Sequence, residues 1–224
     1  MKRSALFVLF CFVLSATTNA QDIFLNKDTT INNTWTIPKG SILKFGSKGK
    51  ISGTGTIKGG IIDAALTQWI FDTTLTVSPE GTYTNVFSAR WFGAGSVKDN
   101  AGVLQKGINT VLANSGTLRK FFIPRGVYPF SKSLTVASLY KGNYGGCTIH
   151  IYGESSFWDS GTGTTLQYTA TDGFAIGLQL NKGSEINNLT ILGQFKAPAA
   201  VDSVYYNIPW DFRKRNDPKA DNAN

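Results

Sequence analysis

The chain has 224 residues, enough for one substantial domain or a small one beside a larger one; 42% are hydrophobic and only 16% charged, so a core can be buried. Gly is frequent (24) and Met rare (1), the mark of many tight turns between strands. A formal net charge of +8 favours acidic partners, whether acidic polysaccharide, nucleic acid or an anionic surface, and charge alone does not choose among them.

Residues 1–20 read as a secretory signal. Lys2 and Arg3 form a basic start, Ala5 to Leu14 an apolar stretch, and Thr18-Asn19-Ala20 a small-residue cleavage site before Gln21. The apolar stretch is too short to span a bilayer, so no membrane span is expected after cleavage. The expected location is therefore secreted, extracellular or periplasmic. Cleavage leaves a net charge of +6 and removes Cys11, so Cys147 stands alone and no intrachain disulfide can form. Cys147 opens CTIHIYG on the side of Ile149 and Ile151, which makes it a small core residue.

From residue 21 to 88 the text is β-rich. Ile31, Ile37, Ile42, Ile51, Ile57 and Ile61 recur among Gly, Lys, Ser and Thr in pieces too short and Gly-broken for helix. Pro38-Lys39-Gly40, Gly46-Ser47-Lys48-Gly49 and Pro79-Glu80-Gly81 read as turns. Close turns without helical crossovers suit stacked coils or a meander.

One helix follows, near 100–113. Asp99 or Asn100 can cap it, Leu104, Ile108, Val111 and Leu112 form an apolar stripe, and Asn114-Ser115-Gly116 stops it. A lone helix among strands is expected to cover an open end of the β-structure, where core and a sheet edge would otherwise lie bare. Strand-like pieces then centre near Ile123, Leu134, Ile149, Leu166, Ile176 and Leu189, the spacing of two or three short strands per coil. Asn187-Asn188 lies between apolar positions, where Asn tolerates a left-handed corner.

The stretch WFGAGSVKDNAGVLQKGINTVLANSGTLRKFFIPRGVYPFSKSLTV, followed by IHIYGESS, GTTLQYTATDG and KGSEINNLTILGQF, resembles the start of pectate lyase-like proteins of the pectin lyase superfamily. The resemblance covers about 105 residues, and residues 21–88 are similar to the extra coils some secreted bacterial members carry upstream. It departs at Gly95-Ser96-Val97-Lys98-Asp99-Asn100, where the family has an acidic Gly-rich stretch; only Asp99 corresponds. The resemblance implies an all-β fold: a right-handed single-stranded parallel β-helix with an N-terminal amphipathic capping helix, residues 89–224 being its start. It also implies action on polysaccharide, by a lyase or a glycoside hydrolase, without fixing the reaction.

Glycoside hydrolysis needs two carboxylates across the bond, and uronate β-elimination needs charge neutralisation by Ca²⁺ or basic groups plus a base. No such motif occurs; in the family these groups sit on middle coils, so catalytic residues are expected beyond Asn224 and Ca²⁺ only if the protein is a lyase. Substrate-binding candidates are Glu154 and Asp159 flanking Trp158 in GESSFWDSGTG, and Tyr205, Trp210, Arg213 and Arg215 near the C-terminus. An ordinary surface loop and a solvated edge are the competing readings of these two groups. His150 lacks partners of metal-ligand spacing and reads as an exposed strand residue. The polar tail FRKRNDPKADNAN cannot cover an open coil, so either the chain continues or another subunit sits there, making an oligomer. The expected partner is a polysaccharide, acidic in character, and not a nucleic acid; a non-enzymatic adhesin or carbohydrate-binding module is the alternative.

Overall fold

The structure, a computed structural model, describes residues 20–114, 116–137, 148–155, 163–171, 173–179 and 184–194. Up to Gly193 they belong to one compact unit. Every strand pair among them is parallel, and, apart from one pair that flanks the helix, strands pair with those of the next pass of the chain and not with their neighbours in sequence. Parallel pairing needs a long crossover between partners. Here the intervening strands of the same pass supply it, so each pass forms a rung stacked on the one before.

The first rung is β1 (Asp22–Leu25), β2 (Asp28–Thr30) and β3 (Thr34–Thr36); the second is β4 (Ile42–Phe45), β5 (Lys50–Ser52) and β6 (Thr56–Lys58). The third is β7 (Ile61–Asp63), a single bridge at Phe71, and β8 (Thr76–Ser78). β1 pairs β4 and β4 pairs β7; β2 pairs β5; β3 pairs β6 and β6 pairs β8. Alternation sends every second residue inward. Leu43, Ile51, Ile57 and Ile62 are fully buried, whereas Ile42 and Ile61 are half-buried on the outer side.

The glycines of these rungs serve stacking more than turning. A Cβ on Gly49 would sit 1.9 Å from the Leu25 carbonyl oxygen of the preceding rung. Gly53 adds a positive φ of 105° to the same crowding, against Ile31. Only glycine lets one corner rest on the backbone of the last.

β9 (Gly81–Thr82) pairs with β7, and β10 (Phe87–Ser88) leads into a 3₁₀ turn, Ala89–Phe92. α1 (Ala101–Ala113) follows, with Leu104, Ile108, Val111 and Leu112 buried as the periodicity predicts. Asp99 and Asn100 divide the expected capping role. Asp99 accepts from the Ala101 amide (3.0 Å), while Asn100 makes no side-chain cap and instead ties the loop to Gly95, Val97 and Pro129.

The downstream rungs are β11 (Lys120–Ile123), β12 (Gly126–Phe130) and β13 (Leu134–Ala137); then β14 (His150–Gly153), β15 (Thr164–Tyr168) and β16 (Ile176–Gln179); then β17 (Glu185–Asn187) and β18 (Thr190–Leu192). Sheets run β10-β11-β14-β17, β12-β15-β18 and β13-β16. Tyr128 lies within a strand, inward and buried, because Pro124 ends β11 and Gly126 restarts the chain as β12. Ile149 and Leu189 fall just outside strands, and Asn188 takes the left-handed corner with φ 52°.

α1 covers a sheet edge, but not as a terminal lid. It packs against β8 of the upstream rungs on one side and against β11 and β13 on the other. At β13 the Gln105 amide donates to the Thr135 carbonyl and accepts from the Thr135 N–H, both at 2.8 Å. One side chain thus takes the place of a neighbouring strand, satisfying an edge that would otherwise lie open. The apolar core runs through this layer without a break, from Leu25 to Tyr168.

Candidate functional site

Of the residues singled out in the sequence, Glu154 is within the described structure. Trp158, Asp159, Tyr205, Trp210, Arg213 and Arg215 lie outside the described residues, as does Cys147. Glu154 follows β14 directly. Its Oε2 accepts from the Arg125 backbone N–H at 3.0 Å, and its Oε1 lies 3.5 Å from the Arg125 guanidinium. Its own N–H donates to Thr164 Oγ1 (3.0 Å), whose hydroxyl donates to the Ile123 carbonyl (2.9 Å). Glu154 therefore fastens the Pro124-Arg125-Gly126 corner of one rung to the start of β15 in the next. The pair itself is exposed and worth at most about 1 kcal/mol; the buried Thr164 hydroxyl is the firmer part of the clasp.

Beneath that corner, the Tyr128 hydroxyl donates to the Pro124 carbonyl at 2.7 Å, and the Arg90 guanidinium lies 5.5 Å from the centre of its ring. Burial pushes the Tyr128 phenol up; Arg90 opposes that shift and Glu154 adds to it. The phenol stays neutral and serves as a donor, holding the corner in place.

Next to Glu154 lies the outer face of β11, β14 and β17. Strand alternation turns Phe122, Tyr152 and Asn187 outward in one register row and Lys120, His150 and Glu185 in another. Phe122 and Tyr152 stack with ring centroids 5.2 Å apart, and burial raises the Tyr152 phenol above its usual range. His150, expected as an exposed strand residue, lies on a strand and is half-buried, with its Nδ1 3.0 Å from Glu185 Oε2. The partner is 35 residues away and becomes adjacent only when the rungs stack. Among the described residues Lys120 forms no ion pair, and no group of three His, Cys, Asp or Glu could hold a metal ion.

The face thus offers a pair of stacked rings between a basic-acidic row (Lys120, His150, Glu185) and the Arg125–Glu154 clasp. Such an arrangement can bind an amphipathic ring by its apolar side and an anion through Lys120. The sequence reading found Glu154 but missed this face; the alternation in KFFI and HIYG marks its outward residues, and only the register joins them. No helix among the described residues is long and apolar enough to cross a membrane. Comparison of the chain with family models, with curated proteins and with solved structures finds no match.

Proposed function

We propose that this is an exported polysaccharide-binding protein, built as a right-handed single-stranded parallel β-helix of the pectin-lyase type, that takes an acidic glycan on the outer face of β11, β14 and β17. The observation that carries the reading is the Phe122–Tyr152 stack, at 5.2 Å, beside the Lys120 ammonium, which forms no ion pair among the described residues. Rings suit the C–H side of a sugar, and the ammonium suits a uronate carboxylate. The stacked parallel rungs and the residue-level resemblance support the fold, and the net charge of +6 left after signal cleavage supports the acidic preference. A lyase or glycoside hydrolase acting on that glycan, with Ca²⁺ if a lyase, is the enzymatic form of this reading.

A second reading, binding without turnover, is favoured by one feature of the same face. Both of its described carboxylates are engaged, Glu154 with Arg125 and Glu185 with His150, so neither stands as a free base.

Titration of the full chain with polygalacturonate tests both. Binding that weakens with salt and drops about fivefold in Lys120→Ala and Tyr152→Ala supports the site. Absent or unchanged binding in those variants sinks it. New reducing or unsaturated ends in the same mixture select the enzyme; binding without them selects the second reading.

A further inference from the structure

We infer a second glycan-binding strip, for a neutral pyranose chain, on the outer face of the upstream sheet β1-β4-β7-β9. Stacking places Phe24, Lys44 and Asp63 in one outward column, and the Tyr83 N–H continues the ladder with a 2.8 Å bond to the Ile62 carbonyl, which sets Tyr83 at its end. These two rings are the most exposed large hydrophobic side chains among the described residues, Phe24 at 64% and Tyr83 at 69%. Exposed rings set in line along a regular sheet can serve as stacking platforms for the C–H faces of sugars.

The spacing identifies its shape. Adjacent strands lie about 4.8 Å apart, so rings three strands apart are separated by about 14 Å along the stack. That is the span of a short oligosaccharide lying along the column, one sugar on each ring. Half-buried Ile42 and Ile61 border the strip, and Lys44 and Asp63 lie between the rings. Here the apolar platforms are interrupted by charged hydrogen-bonding groups, the pattern a pyranose chain presents in reverse, with C–H faces set among hydroxyls.

Charge decides neutral against acidic. The Lys44 ammonium already donates to Asp22 at 2.7 Å, and Asp63 is a second carboxylate near it. Asp22, Asp63 and Lys44 leave the strip with a net negative charge, which repels a uronate. The strip therefore differs in preference from the Phe122–Tyr152 face and stands independently of it.

Calorimetric titration of the full chain with cellohexaose, mannohexaose and maltohexaose, with hexagalacturonate beside them, tests the strip. At least one neutral hexasaccharide should bind, and Phe24→Ala and Tyr83→Ala should each weaken it about tenfold. Both side chains are exposed, so these variants should keep the native fold, which circular dichroism checks. Lys120→Ala should leave this binding unchanged. Three outcomes overturn the inference: none of the three neutral sugars binds, their binding ignores Phe24 and Tyr83, or hexagalacturonate binds through these two rings as tightly. Failure of polygalacturonate at Lys120 and Tyr152 would leave the strip untouched, so the two readings fail separately.

Discussion

The upstream and downstream rungs use one architecture with different economies of chain. Upstream, outward positions recur every 19 or 20 residues, at Phe24, Lys44, Asp63 and Tyr83, and the inward side chains are mostly aliphatic. Downstream, the inward column Phe121, Ile151 and Ile186 advances by 30 and then 35 residues, around a core of Phe87, Trp91, Phe92, Phe121, Tyr128 and Phe130. A rung of 20 residues spends nearly all of them on strands and corners and leaves few for loops. A rung of 30 or more has residues left for loops, the usual carriers of function.

The sharpest test of this contrast is at the seam. Trp91 is fully buried, packs edge-on to Phe87 with centroids 4.9 Å apart, donates from Nε1 to the Ala65 carbonyl, and accepts at its own carbonyl from Ile70 and Phe71. It joins the last upstream rung to the first downstream sheet. Trp91→Ala should cost about 3–5 kcal/mol in denaturant unfolding. A loss below about 1 kcal/mol would mean that the two sets of rungs do not share a core.

A smaller effect sharpens the role of α1 as the layer between them. A Cβ on Gly107 would lie 2.4 Å from the ring of Phe121, which is fully buried and cannot swing away. Overpacking of about 1–3 kcal/mol outweighs the roughly 1 kcal/mol of helix propensity that Ala gains over Gly. Gly107→Ala should therefore destabilise, by up to about 2 kcal/mol. Gly102, in the same helix with open space around it, should respond in the opposite sense, Gly102→Ala stabilising by up to about 1 kcal/mol. Equal signs in thermal melts would contradict the close approach of α1 to β11.

The smallest expected effect is acid sensitivity at the start of α1. The Ser131 hydroxyl bond holds Asp99 below the usual carboxylate range, and the Ala101 and Ser131 amides and Lys132 add to this. A carboxyl with a lowered folded pKa stabilises above its unfolded value and loses that contribution as pH falls through the folded one. Asp99→Asn should therefore be less stable than the parent at pH 7 and converge with it as pH falls through the lowered folded pKa of Asp99. A constant offset across that range would remove Asp99 as the source.

Much of this was legible in advance because it is local. The apolar stripe from Leu104 to Leu112 marks α1 at its observed place, and Gly-punctuated apolar pieces mark the strands. Of the candidate site, Glu154 was singled out as a substrate-binding candidate flanking Trp158 in a loop, yet its clasp to Arg125 and Thr164 was not legible. Its partners lie 29 and 10 residues away, and no spacing rule links them. Which of Ile42 and Leu43, or of Ile61 and Ile62, faces inward was not legible either: where two adjacent residues are both aliphatic, composition does not say.

By itself the sequence determined the kinds and order of the elements, since helix and strand periodicities, turn residues and the cap of α1 are written within a few residues of one another. Only the tertiary structure decided which distant residues became neighbours. Parallel stacking set Phe24 in line with Tyr83, Phe122 beside Tyr152 and His150 beside Glu185, and it brought Gln105 to the edge of β13. Register is a property of whole rungs, fixed by the inward side chains they share, and the outer faces where ligands would bind follow from it.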